Sequence, residues 1–182
     1  MQIIKTELSG LIEIIPDIYH DDRGYFLEFF HDEKFHESGL ITEFVQDNQS
    51  FSKKGVLRGL HFQMPPYEQG KLVRAITGKI LDVAVDIRKS SPNFGKHFKV
   101  VLEASKQNML YIPPGFAHGF IALEDAVFQY KCTGYYHPQS DAGIRWNDPD
   151  LGIEWGNPDP VISEKDATLP SFSDYQRNVG LT

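Results

Sequence analysis

The sequence predicts an all-β fold, a sandwich or barrel of short strands, and three observations predict it. Segments rich in β-branched and aromatic residues recur along the chain. Some of them alternate with period two: in "ILDVAVDI", Leu81, Val83, Val85 and Ile87 share one face, while Asp82, Ala84 and Asp86 share the other. Turn residues punctuate at short intervals, at Gly70, Gly78, Pro92, Gly95, Pro113, Pro114 and Gly115. Many short strands with close turns make a sandwich or a barrel.

Taken in order, the expected strands are "LIEII" (Leu11–Ile15), "GYFLEFF" (Gly24–Phe30) and "GVLRGLHFQ" (Gly55–Gln63). Then come "KLVRAITG" (Lys71–Gly78), "KILDVAVDIR" (Lys79–Arg88), "KHFKVVLEA" (Lys96–Ala104), "NMLYIP" (Asn108–Pro113), "GFIALE" (Gly119–Glu124) and "AVFQYKCTGYY" (Ala126–Tyr136). Two short helices are expected. "DEKFHESGL" (Asp32–Leu40) ends at Gly39, and "SEKDATLP" (Ser163–Pro170) starts on a Ser163/Asp166 capping box and stops at Pro170. The Pro-, Asp-, Gly- and Trp-rich stretch from Asn147 to Pro160 reads as ordered loop. No repeat, low-complexity tract or linker divides the 182 residues, so one domain over 1–182 is expected.

Composition narrows the function. The formal net charge of −7 argues against nonspecific nucleic-acid binding, though it leaves room for a local basic pocket that takes an anionic small molecule. No apolar run approaches the roughly 18 residues of a membrane span, and the first ten residues lack the basic start and apolar middle of a signal peptide. A cytoplasmic location is therefore expected. Cys132 is the one cysteine, so no intrachain disulfide can form.

Within "GVLRGLHFQ", Arg58 and His61 interrupt an apolar strand. A buried strand carries a guanidinium and an imidazole only where they have partners or a task. Strict alternation points Arg58 and His61 to opposite faces, so a bulge is expected near Gly59, where glycine commonly marks one. His61 is suited to acid–base work near neutral pH, with a structural strand histidine as the plainer alternative. Lys71, Arg74, Arg23 and Glu28 read singly as solvated edge charges. Arg23, Arg58 and Lys71 together are enough to grip a diphosphate, since Arg offers a bidentate fork and Lys a point charge. The tyrosines of "YKCTGYYHP" are packing residues, or else a proton donor and a surface for stacking on a base. Asp166 either caps a helix or orients a catalytic imidazole.

"IPPGFAHGF" (Ile112–Phe120) carries a Pro-x-Gly-x-x-His pattern that resembles the second motif of the cupin superfamily, small β-barrels of jelly-roll layout. Metal-binding cupins place His-x-His in their first motif. Here "HFQ" puts Gln63 at the second position, and Gln is a poor ligand for a transition metal. A metal site would rest on His61, His118 and a carboxylate such as Glu68; a metal-free barrel is favoured.

"DDRGYFLEFF", "FVQDNQSFSKKGVLRGLHFQ", "QGKLVRAITGKILDVAVDIRKSSPNFGK", "YIPPGFAHGFIAL", "YKCTGYYHPQSDAGIRWNDPDLGIEW" and "ISEKD" follow one another from about Asp21 to Asp166. Together they resemble the dTDP-4-dehydrorhamnose 3,5-epimerase family. The resemblance implies a cupin-type jelly roll that acts as a homodimer without metal or other cofactor on dTDP-4-keto-6-deoxyglucose. It implies His61 as general base, Asp166 as its partner, Tyr130 as the acid on the opposite face and Lys71 near the keto oxygen. It places Tyr136 against thymine, and Arg23, Glu28, Gln46, Asp47, Asn48, Arg58, His118, Asp141 and Lys165 at substrate-contact positions. The strand carrying Arg23 and Glu28 is expected to come from the neighbouring subunit. Asp141 departs from the Glu of many members and is one methylene shorter.

The residue types suit this chemistry independently. A 4-keto sugar has acidic C–H bonds at C3 and C5, and inversion needs a base of near-neutral pKa, a donor at the developing oxyanion and an acid on the far side. His61, Lys71 and Tyr130 are of the types that can supply them. The competing readings are a single-centre epimerase or 3,4-ketoisomerase on a related nucleotide sugar, a metallo-cupin, and a non-catalytic sugar-binding barrel.

Overall fold

A computed structural model describes residues 1–40 and 43–180. In chain order it contains β1 (Gln2–Lys5), β2 (Ile12–Ile15), β3 (Ile18–Asp21), β4 (Gly24–Leu27), α1 (Asp32–Glu37), β5 (Gln46–Ser52), β6 (Leu57–Gln63) and β7 (Lys71–Thr77). There follow β8 (Lys79–Asp86), β9 (His97–Glu103), β10 (Met109–Ile112), β11 (Phe116–Ala122), β12 (Ala126–Cys132), β13 (Asp141–Gly143), α2 (Glu164–Ala167) and α3 (Phe172–Asn178). One sheet has the order β1-β2-β10-β7-β12-β5, a second β13-β6-β11-β8-β9, and β3 and β4 form a hairpin of their own. The architecture is the expected all-β, cupin-type jelly roll with a few short helices.

The two sheets face each other across a core in which Val73, Ala75, Leu110, Ile112 and Phe128 meet Ile80, Ala84, Leu102, Phe116 and Phe120. The alternation of β8 is used on both faces. Ala84 points into this core, whereas Val83, Val85 and Ile87 pack with Leu57, Leu60 and Phe62 on the outer side of their sheet, beneath Trp155 and Phe172. The outer face of the six-stranded sheet is covered by Phe35 of α1 and by Phe29, Phe30 and Phe44. Apolar residues therefore lie on both sides of each sheet, and a polar residue facing the interior stands out.

Several expected boundaries shift. β4 ends at Leu27, three residues short of Phe30. Phe29 and Phe30 leave the hairpin to cover the sheet, with Phe30 edge-on to Phe35 at 5.1 Å and to Phe44 at 5.4 Å, so their apolarity serves packing rather than strand pairing. β12 stops at Cys132, leaving Tyr135 and Tyr136 exposed on a loop. β11 begins at Phe116, so His118 lies inside a strand rather than before one. β1, β3, β5, β13 and α3 were not among the expected elements. β5 is predominantly polar, and α3 starts on a Ser171/Asp174 capping box directly after Pro170.

Candidate active site

The site begins with a slip in β6. His61 pairs with His118 of β11 and Arg58 pairs with Phe120, so three steps on β6 match two on β11. This is the bulge expected near Gly59, and it brings Arg58 and His61 to one cavity. Gly59 is required there. Its φ is +136°, and an added Cβ would lie 2.5 Å from the Cα of Gly119.

That cavity, about 500 Å³, is lined by Arg58, His61, Lys71, His118, Tyr130, Lys165 and Asp166, with Phe120 and Phe128 as apolar wall. α2 supplies the carboxylate. Ser163 Oγ accepts the backbone N–H of Asp166 at 3.1 Å, but the Asp166 side chain does not return the bond, so only half of the expected capping box forms. Instead Asp166 Oδ1 lies 2.7 Å from His61 Nε2, and Oδ2 accepts the Gly59 N–H at 3.3 Å. Burial opposes the charge on Asp166, but the His61 hydrogen bond and imidazole, with the Gly59 N–H, outweigh it and hold the carboxyl below its usual range. A buried carboxylate that stays ionised fixes the imidazole and balances the charge it gains on taking a proton.

Lys71 opens β7 beside Cys132, its register partner on β12. Burial pushes its pKa down, with Cys132, Asp82 and Asp141 acting in the opposite direction. Its Nζ lies 5.8 Å from the centre of the Tyr130 ring. Burial pushes the Tyr130 phenol up, with the Arg58 guanidinium pulling against it. A phenol kept protonated is a donor. A desolvated ammonium is a strong electrostatic partner for an oxyanion.

Sequence reasoning missed one residue here. Asp82 of β8, fully buried, holds His118 Nε2 at 2.9 and 3.1 Å with its two carboxylate oxygens. Alternation had placed it opposite the apolar Leu81–Ile87 face, and the signal was that this polar face points inward.

The sequence model of the dTDP-4-dehydrorhamnose 3,5-epimerase family matches residues 5–174. The chain belongs to this family. It is 49% identical over 176 residues to the dTDP-4-dehydrorhamnose 3,5-epimerase of Shigella flexneri, covering 96% of this chain and 97% of the relative. The crystal structure of the Legionella pneumophila 3,5-epimerase in complex with dTDP-4-keto-L-rhamnose superposes with a TM-score of 0.91 at 46% identity, covering 94% of this chain and 93% of that one. A 3'-monoepimerase from Streptomyces bikiniensis in complex with dTDP-quinovose superposes with a TM-score of 0.90 at 32% identity, over 98% and 91% of the two chains.

The remaining residues singled out from the family resemblance fall into two groups. Gln46, Asn48, Tyr136 and Asp141 line an adjoining cavity of about 210 Å³ that shares His61, Lys71, Tyr130 and Lys165 with the first. Gln46 Oε1 accepts the Tyr136 N–H, and Asp141 binds both the Tyr136 hydroxyl, at 3.1 Å, and Lys165. Asp47, Arg23 and Glu28 lie elsewhere. β5 alternation turns Asp47 outward to Lys131 at 2.9 Å. Arg23, on the hairpin, pairs with Asp21, and Glu28, just beyond it, pairs with Lys34. Glu68 lines a separate cavity of about 430 Å³ from the two histidines. Among the described residues no group of three His, Cys, Asp or Glu is placed to hold a metal ion, and no helix is long and apolar enough to cross a membrane.

Proposed function

We propose that the chain inverts C3 and C5 of dTDP-4-dehydro-6-deoxy-D-glucose to give dTDP-4-dehydro-L-rhamnose, a step of dTDP-L-rhamnose biosynthesis, without a cofactor. The observation that carries this reading is the 2.7 Å pair of His61 and ionised Asp166 in a cavity that also holds Lys71 and Tyr130. His61 Nε2 is taken by Asp166, and its other ring nitrogen has no partner among the described residues. That nitrogen accepts the proton from the carbon α to the keto group. Lys71 stabilises the resulting enolate oxygen, and Tyr130 returns a proton from the opposite face. Arg58 and Lys165 hold the diphosphate, and Tyr136 stacks on the thymine. The chain forms a single epimerase domain over 1–182 and acts in the cytoplasm as a homodimer. Arg23 and Glu28, remote from the chain's own cavity, reach the site of the second copy.

The likeness to a 3'-monoepimerase favours inversion at one carbon as the second reading.

One experiment separates the readings: incubation with the nucleotide 4-keto sugar in deuterated water, followed by NMR at C3 and C5. Inversion with deuterium at both carbons is expected, and at C3 alone it would establish the single-centre enzyme. His61→Asn is expected to abolish exchange at both, since removing a general base costs roughly 10²–10⁴ in rate. Exchange at wild-type rate in that variant would place the base elsewhere.

A further inference from the structure

The same cavity holds a second imidazole–carboxylate pair. His118 and His61 are direct cross-strand partners on β11 and β6, and each presents Nε2 to a carboxylate. The two pairs differ in setting. His61 is partly exposed, whereas His118 is 7% exposed and Asp82 0%. Asp166 divides its oxygens between an imidazole and a backbone N–H, whereas both oxygens of Asp82 lie within 3.1 Å of the same His118 nitrogen. The rings of His118 and Phe128 stack with centroids 6.1 Å apart, which limits rotation of the imidazole. Among the described residues His118 is bonded through Nε2, to Asp82, and its side chain lines the cavity.

We propose that Asp82 is a positioning residue for the epimerisation: it locks a proton on His118 Nε2 and so makes Nδ1 the nitrogen that faces the sugar. This rests on the epimerase reading above. A buried carboxylate with no other contacting cation among the described residues is best compensated by an imidazolium. Lys71 is near enough to feel Asp82 electrostatically, but no ion pair joins them among the described residues. The imidazolium donates Nδ1–H to the substrate oxygen that becomes anionic when the C–H bond next to the keto carbon breaks. His118 thus joins Lys71 as an oxyanion donor, held in advance of the reaction rather than reoriented during it.

The first test needs neither substrate nor variant. Nitrogen-15 NMR of histidine-labelled wild-type protein should find His118 protonated on both ring nitrogens, its Nε2–H signal displaced downfield by the carboxylate. A neutral ring, with its single proton on either nitrogen, would overturn the assignment, whatever the protein's substrate. The second test is kinetic. Asp82→Asn is nearly isosteric but removes the negative charge that compensates the imidazolium, leaving His118 a neutral and weaker donor. It should lower kcat by about 10–100-fold, the range found when the carboxylate behind a metal-bound imidazole is lost. KM should stay near wild type, because the bond to the oxyanion strengthens only in the transition state. In a His118→Asn background the same change should cost nothing further. An additive loss, or a rise in KM at constant kcat, would show that Asp82 supports the barrel and not His118. If Asp82→Asn fails to fold, the wild-type tautomer measurement decides alone.

Discussion

Tyr130 lies among groups that pull it in opposite directions: burial and nearby Cys132 raise its pKa, and Arg58 lowers it. The net effect keeps the phenol protonated, as an acid that must hold its proton until the enolate forms requires. Tyr130→Phe keeps the ring against Phe128, 5.6 Å away, and removes only the proton. His61 should still make the enolate, so deuterium should wash into substrate of the original configuration faster than inverted product appears. The ratio of the two at C5 is the measurement, and a wild-type ratio at wild-type rate would transfer the acid's role to another group. How much of the site was legible varied by residue. His61 and Arg58 were visible as polar breaks in an apolar strand, and Gly59 between them announced the slip that unites them. Asp166 lies 105 residues from His61, and nothing local separates a capping carboxylate from a catalytic one. Family resemblance chose, and the orientation of the side chain, away from Ser163 and toward His61, agrees with that choice. Asp82 stayed hidden because alternation divides residues between two faces without saying which face is the interior.

At the scale of elements, strands rich in Val, Ile and Phe were readable because burial between or outside the sheets needs those side chains. β5 was not, since its sequence, Gln46 to Ser52, is almost wholly polar and takes its place only by pairing along β12. α3 was missed although its start is written in "SFSD": Ser171 Oγ accepts the Asp174 N–H at 3.0 Å, and Asp174 accepts the Ser171 N–H at 3.0 Å. The Ser171 hydroxyl, which donates to Asp174 Oδ2 at 2.5 Å, and the Ser171 N–H, with Arg177, lower the Asp174 pKa from 3.8 to about 2. A depressed carboxylate pKa stabilises the fold above the unfolded value, and that contribution fades as pH falls from about 4 toward 2. Ser171→Ala should lower stability by about 0.5–2 kcal/mol at neutral pH, the cost of losing a serine N-cap, and the difference from wild type should shrink in acid over that window. Urea unfolding at a series of pH values checks it, and a difference independent of pH would mean that the carboxylate takes no part in the cap. α3 also carries Phe172 and Tyr175 onto the outer face of the five-stranded sheet, where Tyr175 donates to the Ile87 carbonyl at 3.0 Å. The cap thus supports the sheet whose inner face carries His61 and His118.

For the molecule as a whole, the β3–β4 hairpin is the element that its own chain leaves least covered. Tyr19, Tyr25 and Phe26 are 63%, 58% and 70% exposed, an unusual cost for an isolated two-stranded ribbon unless another surface covers it. In the proposed homodimer that surface is the second copy, and Arg23 on the hairpin then completes the partner's nucleotide site. Mixing two inactive variants tests this directly. Arg23→Ala would damage the site of the other subunit, while His61→Asn would damage its own. Unfolded together and refolded as an equal mixture, the chains should give hetero-dimers in which one site carries both defects and the other neither. With random pairing by two-fold symmetry, about a quarter of all sites are intact, so the mixture should recover about that fraction of wild-type activity from two nearly inactive parents. If Arg23 served its own chain's cavity, each hetero-dimer would hold two singly damaged sites, and the mixture would be no more active than the mean of its parents. That result would return the hairpin to its own subunit and leave its exposed aromatic residues to some other contact.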